Sequence, residues 1–529
     1  MRWRMKSDAA RTIPTLFHYE PPTCVKETTR EVDVLVYGGT SAGVTAAVHL
    51  CRQGRSVVIA NPSREVGGLS TSGLGFTDVG NKHAIGGLAA TFYQAVGKHY
   101  GIDWKAQFEP HVASKVFKQL LSNAGVEVLP MEFLLGVESE DGRLVSATFE
   151  SGLTVRARQF IDATYEGDLA AMAGVTMHVG RESNAEFGET RNGVQCGPHH
   201  QFSMPVDPYV LPGVPSSGLL PGIEPGPLPA TGSADHRVQA YNFRMCMTDS
   251  ASNRRPFPVP ATYDPLRYEL LARVLESGWP EFFKKFDRIP NGKTDTNNHG
   301  PVSSDFIGGS HFWPRASHAQ REALFQAHVD WQAGLYHFLN TSPRIPKELR
   351  EAFAAWGLAA DEFPETGGWP HQLYIREGRR MRGAFVMTEN HCTNSHPVDD
   401  PAGLGAYQMD SHNCRRFARD GRVFNEGDVQ ARLEGPYGIS YRALVPRKGE
   451  CSNLLVPCAL SATHIAFGSL RMEPVFMVLG QSCAIAADLL LESQTPACEL
   501  PYADLRPALL EAGQILHTEH RVKSFQFGE

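Results

Sequence analysis

Residues 31–60 constrain this chain more than any other stretch. Val32, Val34 and Val36 alternate in a short β-branched strand that runs straight into Gly38-Gly39-Thr40-Ser41-Ala42-Gly43. Residues 44–53 read as a helix, Gly54 stands where a helix-ending glycine belongs, and 56–60 is a second apolar strand. Strand, glycine turn, helix and strand within about thirty residues make a βαβ unit, which requires a parallel sheet and a right-handed crossover. The turn is close to G-x-G-x-x-G, with Thr40 in place of the second glycine. Gly38 permits the tight turn. A helix that starts there aims free N–H groups and partial positive charge at an anion, so Gly38, Thr40, Ser41, Ala42 and Gly43 are expected to hold a pyrophosphate.

Thr40 preserves this geometry if its backbone stays in an ordinary conformation, and its hydroxyl can itself donate to phosphate. Position 61, where dinucleotide sites carry an acidic ribose ligand, is Asn61. An amide accepts ribose hydroxyls with one oxygen only. The plainer reading is that Asn61 caps the loop before Pro62.

Farther on, 112–124 reads as a helix, 126–129 as a strand, 134–137 with 144–149 as a hairpin about Asp141-Gly142, and 159–163 as a buried strand. From 177 to 435 Pro, Gly, His and aromatic residues crowd in and periodicity weakens, with 212–232 an exposed loop. Strand character returns at 453–457, a long helix at 474–491 and another helix at 503–513. The expected class is α/β, with an N-terminal arm (1–30), a nucleotide domain (31–176), an inserted α+β substrate or cap domain (177–435), a return segment (436–495) and a C-terminal helix and tail (496–529). A chain of 529 residues is long enough for such a division.

Several classes are set aside by composition. The net charge of -7, without any Lys/Arg block, argues against nucleic acid as a partner. Residues 475–491 are nearly apolar over roughly the length of a membrane span, yet Gln481, Asp488 and the small residues Gly480, Ser482, Ala484, Ala486 and Ala487 suit a buried helix packed close to a sheet. A soluble, cytoplasmic protein is expected, without a membrane partner. The 10 cysteines include no C-x-x-C pair, so reduced buried thiols are expected and no metal. Residues 1–23 lack the apolar stretch of a signal peptide and read as a loosely tied arm.

A set of motifs then falls into line. Gly38–Gly43 is followed by Val66-Gly67-Gly68-Leu69-Ser70-Thr71-Ser72-Gly73-Leu74-Gly75 and by Asp162-Ala163-Thr164-Tyr165-Glu166-Gly167-Asp168-Leu169. Farther along come Gln239-Ala240-Tyr241-Asn242-Phe243-Arg244, Ser304-Asp305-Phe306, Arg376-Glu377-Gly378-Arg379-Arg380, Met409-Asp410-Ser411-His412, and the run from Ser461 to Gln481. From residue 32 to 493 the chain resembles the FAD-dependent oxidoreductase family of the glutathione-reductase-like flavoprotein superfamily, whose members often carry labels such as "xanthan lyase-like". The resemblance implies FAD as cofactor and a Rossmann-like FAD-binding domain around the insertion. It implies that Gly67, Gly68 and Leu69 bring backbone to the diphosphate and ribityl chain. Ala163, Thr164 and Gly167 would form a second flavin motif, in which Asp168 accepts from a ribityl hydroxyl. Ser469, Leu470 and Arg471 would bring positive potential to the flavin N1–C2=O edge.

A flavin carries electrons, so the protein must place the substrate and move a proton. His412 is the first candidate, His464 the second and His391 the third, since histidine titrates near neutrality. Arg376 and Arg442 suit a carboxylate or another polar substrate group, with structural salt bridges as the alternative. The expected reaction is oxidation of a small organic molecule by a dehydrogenase or oxidase; a monooxygenase with an external reductant, or a flavin-containing lyase or isomerase, are the alternatives. One dinucleotide fingerprint and no redox cysteine pair argue against a dedicated NAD(P)H site.

Overall fold

The computed structural model describes residues 11–493 and 495–518. The start of the expected arm (1–10) and the end of the expected tail (519–529) lie outside the described residues. The predicted unit is present as β1 (Thr28–Tyr37), α1 (Ser41–Arg52) and β2 (Val57–Asn61). Helices α2 (Gly87–His99) and α3 (Pro110–Ala124) follow, then β3 (Glu127–Pro130), the hairpin β4 (Leu134–Glu140) and β5 (Arg143–Phe149), and β6 (Leu153–Asp162).

Strands β3, β2, β1 and β6 lie side by side and parallel, and Leu454–Leu455 pairs parallel with Phe160 and Ile161 of β6. The chain thus rejoins its first sheet late. The hairpin pairs antiparallel with the first half of β6 only. Alternate residues point to opposite faces: Val34, Val36, Ile59 and Ile161 join the larger core, while Leu35, Tyr37, Val58 and Phe160 join a second one. Both faces are covered, which is why these strands are apolar throughout.

The helix Glu473–Ser493 packs on α1: Thr45 Oγ1 donates to Met477 O at 2.8 Å, and a Cβ on Gly480 would lie 2.2 Å from Ala42 O. It is long and apolar enough to cross a membrane, but it is mostly buried inside the molecule.

A second, antiparallel sheet orders Arg254–Arg255, Gly357–Ala359, Met245–Thr248, Lys293–Thr296 and Phe286–Ile289. The helix His318–Thr341 follows the strand pair Phe286–Ile289 and Lys293–Thr296 in the chain and is opened by a capping box between Ser317 and Gln320. Two expectations need correction. Cys24 and Cys196 are exposed rather than buried. The arm is docked from residue 11 on, with Ile13 and Leu16 buried and Tyr19 Oη bonded to Glu150 at 2.7 Å.

Candidate cofactor cavity and active site

Gly38 ends β1 with φ of +101°, a conformation that glycine alone adopts without strain. Thr40 is the N-cap of α1 at φ −65° and ψ 176°, ordinary extended backbone, so a residue with a side chain fits there. Its hydroxyl accepts from Gly43 N at 3.3 Å and donates to Ala163 O at 2.7 Å. The hydroxyl therefore ties the turn to the second motif and is not free to donate to phosphate. Gly38, Gly39 and Thr40 line a cavity of ≈ 330 Å³ at the carboxyl ends of the parallel strands, together with Asn61, Gly68, Thr71, Thr164, Asp168, Arg321 and Gln372. That is where open α/β sheets take ligands.

Asn61 lines the cavity, but its amide is engaged. Oδ1 accepts from Gly39 N at 2.9 Å, and Nδ2 donates to Ser63 O and Glu65 O, each at 2.9 Å. The loop-capping reading is the one this geometry favours. Asn61→Asp removes both donated bonds, so it should cost about 2 kcal/mol at about 1 kcal/mol per net hydrogen bond. Urea unfolding and FAD titration check this; unchanged stability together with tighter FAD binding in the Asn61→Asp variant would restore the ribose role.

The second motif is held by charge. Asp162, at the end of β6, accepts from Thr164 N, Thr164 Oγ1 and Ala170 N. Asp168 meets Arg321 at 2.5 and 2.8 Å and Arg379 at 2.6 Å. Burial would push its carboxyl up, but Arg321 and then Arg379 prevail, and it lies well below the usual range. Gly68 and Leu69 meet Tyr165, whose Oη accepts from Leu69 N at 3.0 Å and donates to Glu473 Oε1 at 2.7 Å. Ser70 Oγ donates to the other Glu473 oxygen at 3.1 Å. Burial pushes the Glu473 carboxyl up. The first turn of this helix thus carries an acid that offsets the positive potential expected there.

Two residues beyond Gln372 the chain enters a buried charged cluster. The guanidinium carbons of Arg244, Arg376 and Arg471 stand 5.6, 4.7 and 5.7 Å from the centre of the Tyr374 ring. Each has an acidic neighbour: Asp295 at 2.7 Å, Asp305 at 2.8 Å and Asp410 at 3.4 Å. His412 stands between two of these acids, Nδ1 at 2.9 Å from Asp305 and Nε2 at 3.6 Å from Asp410. Burial opposes ionisation of Asp305, but Arg376 and His412 hold its carboxyl below the usual range. Among the described residues, the buried Nε–H groups of Arg376 and Arg471 have no acceptor.

The structure thus gathers Arg376, His412 and Arg471, and leaves three other candidates apart. His464 has Nδ1 on Glu377 at 2.8 Å and Nε2 on Ser411 at 3.0 Å, so both ring nitrogens are engaged. His391 Nδ1 bonds Thr388 at the start of its own short helix, and its ring contacts are Phe385 and His396. Arg442 pairs with Asp400 at 2.9 Å and is 46% exposed. Ser469 is turned to Tyr437 and Tyr407 rather than to the cavity, and Leu470 is buried in the core. Sequence reasoning missed Arg244, Tyr374, Asp305 and Asp410 as members of the cluster; Arg244, Asp305 and Asp410 stood inside recognised motifs without a role. Glu109, His111 and Glu362 offer atoms within 4.8 Å of one another, as metal ligands do. The Lys293 ammonium lies among them, 2.7 Å from both glutamates and from Asp361.

Residues 33–509 match the family model described as FAD dependent oxidoreductase. The chain belongs to that family. Its cofactor is FAD. No curated protein matches the chain. Among solved structures, a geranylgeranyl bacteriochlorophyll reductase-like protein from Thermoplasma acidophilum is 21% identical, with 28% of this chain and 43% of that one covered at a TM-score of 0.22. The L-proline dehydrogenase of P. horikoshii is 16% identical over 30% of this chain and 59% of that one, at a TM-score of 0.24. The chain spans less than two thirds of each.

The residues present fit FAD. The turn is too tight for a side chain at Gly39 or Gly43: a Cβ on Gly43 would lie 1.9 Å from Gly38 O, and one on Gly39 would lie 2.8 Å from Asn61. Backbone alone faces the cavity at Gly38 and Gly39, beside a helix N-terminus whose first N–H groups have no intrahelical partner.

Proposed function

We propose that this oxidoreductase oxidises a small organic substrate with FAD as the electron acceptor, and that the substrate lies at the Arg376–Tyr374–Arg471 cluster beside His412. The observation that carries this reading is the pair of buried, unpartnered Nε–H groups on Arg376 and Arg471. A buried donor without an acceptor costs about 1–3 kcal/mol, so such groups at a site call for an oxygen-bearing ligand. The chain leads from the cavity to the cluster: Gln372 lines the cavity, its N–H donates to Ser72 Oγ at 2.8 Å, and Tyr374 and Arg376 follow it in sequence.

In this reading Gly38, Thr40, Ser41, Ala42 and Gly43 hold the pyrophosphate, the last four through the turn and the first turn of α1. Gly67, Gly68 and Leu69 with Ala163, Thr164, Gly167 and Asp168 frame the ribityl side. Bound FAD supplies a two-electron acceptor. Arg376 and Arg471 orient the substrate through its oxygen. His412, held between Asp305 at Nδ1 and Asp410 at Nε2, is the group that takes up the proton the substrate releases. Asp305 fixes the tautomer and ring orientation, and it is itself held by Arg376.

The antiparallel second sheet supports an organic electron donor, because it is not a doubly wound nucleotide domain that would dock NAD(P)H. His412→Asn is expected to slow single-turnover reduction by substrate by about 10²–10⁴-fold with FAD content unchanged. An unchanged rate would remove His412 from the mechanism.

A further inference from the structure

The docked N-terminal segment lines the same cavity as the glycine turn: Thr15, Leu16, Phe17 and His18 face Gly38–Thr40, Asn61–Glu65 and Asp168 across it. Its anchoring is regular. Glu322, Gln326 and Asp330 are spaced by four on the helix His318–Thr341 and so lie on one face. Glu322 accepts from His18 N at 2.7 Å and Tyr19 N at 2.9 Å, Gln326 donates to Leu16 O at 2.9 Å, and Asp330 accepts from Thr12 Oγ1 at 2.5 Å. The segment therefore runs antiparallel down that face, one contact per turn.

Its other contacts are with further parts of the chain. Thr15 Oγ1 donates to Glu365 O at 2.8 Å, and Tyr19 packs on Phe133 with ring centres 4.8 Å apart. His18 is inserted against Trp313 and Phe325, 4.9 and 5.9 Å away. Burial and then the charge of Arg321 push its ring down to about 3, so it is a neutral wedge. Phe17 lies under the Arg64 guanidinium at 4.3 Å. Arg64 belongs to the loop after β2, the end of such folds that reads adenosine.

We propose that residues 13–19 form the roof of the cofactor cavity, with Phe17 against Arg64 closing its adenosine end, so that FAD enters and leaves only when this strap lifts. The proposal rests on the assignment of this cavity to FAD. A strap held by several weak contacts opens on its own, and both rates of exchange are then gated by that opening.

The test uses the full chain and two variants. Phe17→Ala removes the closing contact, and Glu322→Ala releases the strap without altering a cavity residue. Release is followed by the rise in flavin fluorescence on dilution of the holoenzyme, and uptake by its quenching when FAD is added to the stripped protein. Both variants are expected to release FAD at least about tenfold faster and also to take it up faster, since binding no longer waits for a conformational change. General loss of structure would speed release but slow uptake, and that result overturns the proposal, as do rates within about twofold of the parent's in both variants. A parent chain that takes up no FAD overturns instead the assignment of the cavity.

Discussion

Gly43→Ala is expected to purify without FAD. The added methyl would stand 1.9 Å from Gly38 O and 3.3 Å from the Ala163 methyl. Neither neighbour can give way. Gly38 is fixed between β1 and the turn by the bond from its N–H to Ala60 O at 2.8 Å, and Ala163 is pinned by its bond to Tyr37 O at 2.8 Å. Either α1 slides or the turn opens, and both carry the helix N-terminus off the pyrophosphate. The expected loss is at least about 100-fold in affinity, about 2.8 kcal/mol. Gly136→Ala is the control, since a Cβ there meets nothing within 4 Å and the position lies in the peripheral hairpin. Equal flavin content in the Gly43 variant and the control would refute the pyrophosphate assignment.

Lys293→Met is expected to be the most destabilising single change. The lysine is fully buried, and its ammonium is the cation that offsets Glu109 and Glu362, both buried, as well as the half-exposed Asp361. Those neighbours hold it charged, above the usual lysine range, although burial alone would push it down. A methionine of similar length keeps the packing and removes the charge. Two buried carboxylates then face each other with only the half-exposed His111, 2.7 Å from Glu362, to offset them, a loss of about 3–5 kcal/mol. Urea unfolding at neutral pH reads this directly. A loss below about 1 kcal/mol would mean that the acids relax to solvent or that another cation replaces the ammonium.

What was legible in the sequence follows the local character of each signal. The βαβ unit is contiguous and its strands are buried on both faces, so short-range pattern and final structure agree at Val34–Tyr37 and Val57–Asn61. The helix His318–Thr341 went unread although Ser317 and Gln320 announce its start. Arg321, His328 and Gln332 are buried in it, so no apolar stripe stands out. The second sheet was unreadable for a similar reason: Lys293, Thr294 and Asp295 are interior residues, and beyond their local hairpin with Phe286–Ile289 they pair with Met245–Thr248, far away in the chain. Site residues divide the same way. Gly38 and Gly43 carry their meaning in backbone geometry and were candidates from spacing, whereas Gly68 was a candidate from the family resemblance. Arg376, Asp305, Asp410 and His412 meet only through tertiary packing, and nothing in spacing separates His412 from His464 or His391. Asn61 could be placed by position but its partners could not, because Ser63 O and Glu65 O belong to a loop whose path the sequence does not dictate.

Anaerobic stopped-flow mixing of the holoenzyme tests the proposed chemistry most directly. NADH, NADPH and a panel of small oxygen-bearing organic molecules are each mixed with the oxidised protein, and the visible absorbance of the flavin is followed. An organic electron donor at the Arg376–Arg471 cluster predicts that both nicotinamides leave the absorbance unchanged on the turnover timescale, while a substrate from the panel bleaches it, and bleaches it far more slowly in the His412→Asn variant. Rapid bleaching by either nicotinamide at rates competent for turnover, or turnover of a substrate with a flavin that never bleaches, would contradict it.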